Sequence, residues 1–219
     1  MQPSYLPYLG YFDLIKRSDV FVVYDDVQYT KNDWRNRNRI KTPQGEMWLT
    51  IPLENTCKRR LNAVWLPEKD QWREKHIKAL CMNYARAKRF DGYMDLVEVW
   101  IRNGYCRLSD YCHHIAVQAA TIFGIDAKYE HSSNLGFTEL TKTDRLVAIC
   151  KSLGADEYLS PNGSKPYLEP RKFEDAGIRL IWQDYEPKVY AQQWGGPFVE
   201  RLSFVDLLLN HGEEANGFI

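Results

Sequence analysis

Two adjacent carboxylates, Asp25 and Asp26, follow directly on the apolar run Val20–Tyr24. Paired carboxylates accept protons or hold a cation, and in α/β sheets ligands bind beyond the carboxyl ends of strands. These two are the candidate catalytic residues. After them come Gln28, Lys31 and Trp34, then the run Arg35-Asn36-Arg37-Asn38-Arg39-Ile40-Lys41. In an extended chain Arg35, Arg37 and Arg39 share one face, and Asn36, Asn38 and Ile40 the other. A row of guanidinium forks suits a pyrophosphate or other polyanion through paired hydrogen bonds. A solvated edge strand that uses charge against aggregation has a similar composition, but solubility does not require the Asn face.

Two further segments have the chemistry of an anion site. The opening Gln2-Pro-Ser-Tyr5-Leu-Pro-Tyr-Leu-Gly10-Tyr-Phe12 fixes a tight path before a helix. There Gly10 lets a ligand approach the backbone and the free N–H groups of the helix start attract a phosphate or carboxylate. A proline-rich turn with inward-packed aromatics is the other reading. Ser160-Pro-Asn-Gly-Ser164-Lys165 is a small-residue loop after a predicted strand. Its N–H groups can cradle a phosphate, although its glycine spacing is not that of a P-loop. The histidines offer less. His76 reads as a core residue or one behind the reacting groups. His113 and His114 diverge by about 100° on a helix, and His131 and His211 are isolated. Arg145 beside Asp144 reads mostly as a solvated pair. No metal-ligand set and no Ser-His-Asp spacing is recognisable.

The elements that must position these residues form three sections, 1–67, 68–124 and 125–219, read as one domain without repeats or flexible linkers. The first holds a helix over 10–17, the strand Val20–Tyr24 and a hairpin. The hairpin's arms are Arg39–Lys41 and Met47–Leu53 around Thr42–Gly45, with Pro52 at a sheet edge. The second is a helical insertion with helices from Asp70, over 90–101 and over 108–123. The third alternates: strand 128–130, helix 138–153, strand 157–159, helix 169–176, strand 178–182 and a final helix 202–210 closed by Gly212. This order predicts an α/β fold, a parallel or mixed sheet with flanking helices. Strand, Pro-rich loop, glycine at a helix start, helix and apolar strand are similar to the nucleotidylyl-transferase layout. The helix start here has no His, so that likeness concerns the fold alone.

Composition narrows the function. With 29 Lys+Arg against 29 Asp+Glu the 219-residue chain carries no net charge, which disfavours binding driven by a summed positive field. No stretch reaches the roughly 20 apolar residues that span a bilayer, so no membrane insertion is expected. The five cysteines are odd in number and lack a CxxC pair. They read as reduced thiols of a cytoplasmic protein.

The block from Gln2 to Leu53 resembles the opening of the WbqC-like family. The resemblance continues at Trp72–His76, Tyr84, Lys142–Leu146, Tyr158–Ser160, Gly163, Tyr167–Leu168, Tyr190 and Leu202–Asn210, nearly the whole chain. Family members usually carry a short apolar strand before the Gln-Pro, whereas this chain begins at Met1. The resemblance implies a bacterial O-antigen or other lipopolysaccharide and surface-polysaccharide setting. It also implies transfer of glycine or another acyl group to a nucleotide-linked amino sugar. No certain cofactor comes with it, only an activated donor: an acyl donor, a carrier protein or an aminoacyl-tRNA. For amide formation Asp25 or Asp26 is the expected base. Arg35, Arg37 and Lys41 are the expected diphosphate or oxyanion donors, and Gln2 and Tyr5 orient the sugar. Gly10, Gln28, Asn36, Ser160 and Ser164 complete the expected binding set, with Trp34 able to stack a base of an RNA donor. A non-catalytic nucleotide-sugar or carrier-binding module of a glycan assembly complex is the rival reading.

Overall fold

The computed structural model describes residues 1–54 and 56–219. Its first helix, α1 (Leu9–Lys16), leads into strand β1 (Val20–Val23), where Phe21 and Val23 turn into the core. Strands β2 (Arg37–Thr42) and β3 (Gly45–Thr50) form the predicted hairpin. Its tight turn is possible because Gly45 takes φ +110°, which side-chain-bearing residues avoid. The helical section is α2 (Gln71–Tyr84), α3 (Phe90–Ile101) and α4 (Leu108–Ile122). Strand β4 (Lys128–His131) runs straight into the single turn α5 (Ser132–Leu135). Then follow α6 (Lys142–Ser152), β5 (Glu157–Ser160), α7 (Pro170–Asp175), β6 (Arg179–Trp182) and α8 (Phe204–His211). Among the described residues no helix is long and apolar enough to cross a membrane.

The class is mixed α/β with flanking helices, but the strands do not join one sheet. They form three pairs: β1 with β4 parallel, β2 with β3 antiparallel, and β5 with β6 parallel. Backbone groups from non-strand segments cap the free edges. The N–H of Ser203 donates to Arg39 O at 2.9 Å on β2, and Met1 O accepts from Tyr24 N at 2.8 Å beside β1. One further expectation shifts: helix α6 begins only at Lys142, not at 138. Beyond α8 the chain continues as a 3-10 helix over Gly212–Phe218.

The main core joins the opening loop, α1, β1, the helical section and α8. Phe12 packs edge-on against Phe123 and Phe204 at 5.1 and 5.3 Å, an aromatic geometry worth about 0.5–1.5 kcal/mol per pair beyond area burial. A satellite core around Cys150, Leu168, Phe173 and Ile178 supports the β5–α7–β6 unit. The buried carboxylate Asp206 ties α8 to the rest by accepting from Tyr84 Oη at 2.7 Å and Tyr190 Oη at 2.8 Å. Burial pushes its pKa upward, and the two phenols satisfy the group.

Candidate functional site

Parallel pairing of β1 and β4 aligns Val23 with His131. The residues that leave the two strands, Asp25–Asp26 and Ser132–Ser133, therefore lie side by side at the carboxyl ends. Asp25 Oδ1 accepts from Ser132 Oγ and from the Ser133 N–H, both at 3.1 Å, while Asp25 Oδ2 accepts from Ser133 Oγ at 2.9 Å. The same Oδ2 faces His131 Nδ1 at 3.3 Å. Asp26 lies nearer that one Ser132 hydroxyl, at 2.6 Å, and shares its proton with Asp25. It also accepts from Arg145 Nη2 at 2.6 Å, and the Arg145 guanidinium lies 5.0 Å from the Tyr24 ring centre.

This network separates the roles of its members. Burial alone would raise the Asp25 carboxyl, but hydrogen bonds from His131, Ser133 and Ser132 outweigh it and hold the group down at about 2. A carboxylate so well solvated by the protein is a weak base. The bond to Asp25 lifts the His131 imidazole above its ordinary 6.5, against the opposing pull of burial. In the neutral ring, Nδ1–H donated to Asp25 leaves the lone pair on Nε2, and the side chain is 27% exposed. His113 packs against it at right angles, 5.0 Å between ring centres. Burial, followed by the charge of His131, drives His113 down to about 4, so it is neutral near pH 7. Ser133 bonds the carboxylate and not the imidazole, so the three side chains do not form a Ser-His-Asp relay. Among the described residues no group of three or more His, Cys, Asp or Glu could hold a metal ion.

A model of the WbqC-like protein family matches residues 2–217. The chain belongs to that family. It is also 36% identical over 223 residues to the uncharacterized protein Rv1507c of Mycobacterium tuberculosis (strain ATCC 25618 / H37Rv), an alignment spanning 100% of this chain and 95% of that protein. No solved structure matches it.

In this WbqC-like chain the other sequence-predicted residues divide between cleft and core. Tyr5 is fully buried: its Oη pairs with His76 Nδ1 at 2.9 Å and its ring stacks on Tyr111, so it cannot orient a sugar. Gly10 offers no anion approach, because the Tyr8 ring lies over it and fills the space a Cβ would take. Lys41 is buried, its Nζ donating to Gln192 Oε1 and the carbonyls of Gly195 and Pro197, so it clamps that loop and is spent as a diphosphate donor. Asn36 Nδ2 donates to Ile51 O at 2.8 Å inside the sheet. Ser160 and Ser164 are buried and bond each other at 2.5 Å, closing the 3-10 turn at Asn162–Ser164 rather than cradling a ligand. Gln28 is exposed and bridges Arg60 through its backbone.

Arg35 is held against the opening loop, donating to Gln2 O at 3.3 Å and Ser4 Oγ at 3.0 Å. Burial lowers its pKa. Gln2 Oε1 is buried without a partner among the described residues. Trp34 and Arg37 face an open cleft with Arg39 and Trp48. The sequence reading missed His131, Ser132 and Ser133 and undervalued Arg145. The strand over 128–130 was its only pointer to them, and without the β1–β4 pairing that strand has no known neighbour.

Proposed function

We propose that this chain acylates or aminoacylates the amino group of a nucleotide-linked amino sugar in the cytoplasmic phase of bacterial surface-polysaccharide (O-antigen) assembly. Glycine is one acyl group of the proposed class. One observation carries the reading: an imidazole held by a carboxylate at the ends of two parallel strands, its second nitrogen without a hydrogen-bond partner among the described residues. In the proposed step His131 Nε2 takes the amine proton as the nitrogen bonds the donor's acyl carbon. The tetrahedral oxyanion then collapses, the bond to the donor's thiol, phosphate or 3′-hydroxyl oxygen breaks, and the imidazolium returns the proton to that leaving group. Asp25 positions His131 and balances its charge, while Arg145 and Ser132 hold Asp26 in place. This moves the base from the aspartates to the histidine, because a base should ionise near the working pH and Asp25 ionises far below it. The reading places the ligand at the carboxyl ends of the parallel β1–β4 pair, where α/β proteins commonly bind ligands.

The test is mass spectrometry of a nucleotide-linked 4-amino or 3-amino sugar incubated with glycyl-tRNA, a glycyl thioester or acetyl-CoA. The expected product is the amide. Product formation should fall by about a hundredfold or more in His131→Ala, within the range of general-base contributions. A nucleotide sugar that binds but yields no amide with any of these donors would instead identify a binding module.

A further inference from the structure

Trp34 and Trp48 are 37% and 43% exposed, large indoles that a chain normally covers. Their ring centres lie 5.4 Å apart at a tilt of 38°. Both lie in the cleft of about 330 Å³ lined also by Asn32, Asp33, Arg37 and Arg39. Hairpin register explains the cluster: Arg39 stands opposite Trp48, and Arg37 lies two residues along the same face. The Arg37 guanidinium lies 4.3 Å from the Trp48 ring centre, and that of Arg39 lies 5.4 and 5.6 Å from Trp34 and Trp48.

Arg37 Nη2 donates to Asn32 O and Arg39 Nη1 to Glu46, while Arg37 Nη1 and Arg39 Nη2 have no partner among the described residues, donors that gain from an incoming anion. Three guanidinium groups, Arg35, Arg37 and Arg39, meet two carboxylates, Asp33 and Glu46, which leaves one positive charge. That local charge suits one phosphate group better than a polynucleotide backbone, which draws on many cations.

We propose that this cleft is a nucleotide subsite, in which the base of a nucleoside diphosphate stacks on the Trp34–Trp48 pair and its phosphates take the free donors of Arg37 and Arg39. It rests on the nucleotide-sugar reading above for the identity of the ligand, and it adds Trp48 and Arg39, which that reading does not use. Stacking is tolerant of base identity because every base has a π-face, so the cleft accepts the nucleotide and leaves sugar selection to other residues.

Calorimetric titration with ADP, UDP, dTDP, inorganic pyrophosphate and a single-stranded RNA oligonucleotide tests it without any turnover. At least one of the three nucleotides should bind about tenfold or more tighter than pyrophosphate. Trp48→Ala should weaken that binding by about five- to hundredfold, and Trp48→Phe should retain most of it, separating stacking from misfolding. Arg37→Lys keeps the charge but loses the planar fork and should weaken binding by about ten- to hundredfold. Trp65→Ala, which removes an exposed indole outside the cleft, should leave affinity unchanged. Nucleotides no tighter than pyrophosphate, or equal affinity in Trp48→Ala, would overturn the assignment. RNA that binds tighter than every nucleotide with steep salt dependence would also overturn it, in favour of a polynucleotide site. Amide formation without any Trp48 dependence of nucleotide affinity would remove this subsite and leave the transfer reading standing. Nucleotide binding with the Trp48 dependence but no amide would do the reverse.

Discussion

Removing the Arg145 guanidinium should cost far more stability than an ordinary surface substitution. Arg145 and Asp26 meet at 2.6 Å with side chains only 6% and 2% exposed, so neither charge has water to fall back on. Breaking a buried pair from one side typically costs about 3–5 kcal/mol, because the remaining charge stays buried and uncompensated. In Arg145→Ala, Asp26 keeps only the Ser132 hydroxyl among the described residues, which places this variant within that range. In Asp26→Asn, Arg145 keeps the Gly136 carbonyl at 3.3 Å and the Tyr24 ring, so the loss should be smaller. The double variant Asp26→Asn/Arg145→Ala carries no buried charge at this position. Its loss should fall short of the sum of the single losses by about 0.5–3 kcal/mol, the usual coupling between residues in contact. Urea unfolding of the four proteins at neutral pH, followed by tryptophan emission, measures the cycle. Unchanged transition slopes would show that the native state and not its compactness is affected. Losses that simply add, or an Arg145→Ala loss below about 1 kcal/mol, would refute the argument and mean that the pair is hydrated.

In a histidine-resolved NMR titration, His131 should ionise above 6.5, while His76 and His113 stay neutral down to about 4. Asp25→Asn should lower His131, since burial is then opposed only by the charges of Asp110 and Glu130; an unmoved His131 would break the pairing. The linked stability from His131 is full below 6.5 and is lost as pH rises through its folded value. That from Asp25 is present above 3.8 and is lost as pH falls through about 2. Gly10→Ala places a Cβ 2.4 Å from the Tyr8 ring and should cost about 1–3 kcal/mol, with most of it recovered by adding Tyr8→Ala; equal melting temperatures of Gly10→Ala and wild type would count against that packing. Lys41→Met should cost about 1–3 kcal/mol and speed amide exchange in residues 192–197 while leaving UDP affinity unaltered. Weaker UDP binding would return Lys41 to the ligand.

Local order was legible from the residues alone. The apolar stripe through Met94, Val97 and Ile101 makes a helix over 90–101, and the structure has α3 over that span. Period-two alternation separated Asn36, Asn38 and Ile40 from Arg35, Arg37 and Arg39, and the structure buries the first set and leaves the second half-buried. Such patterns are readable because neighbours in sequence set them. Parity also assigned Lys41 to the arginine face, yet it is buried, because the loop at 192–197 folds over that end of the hairpin. Tyr5 was lost in the same way, to a partner on α2 that is 71 residues distant. The site depended most on tertiary structure. The strand Val20–Tyr24 located Asp25 and Asp26, but His131 and Arg145 lie 106 and 119 residues beyond them. Only the parallel pairing of β1 with β4 brings the four together, and no local periodicity encodes which strands will pair. The residue types therefore determined which groups can ionise and hydrogen-bond, and the long-range pairing decided which of them meet at the strand ends and which are buried in the core.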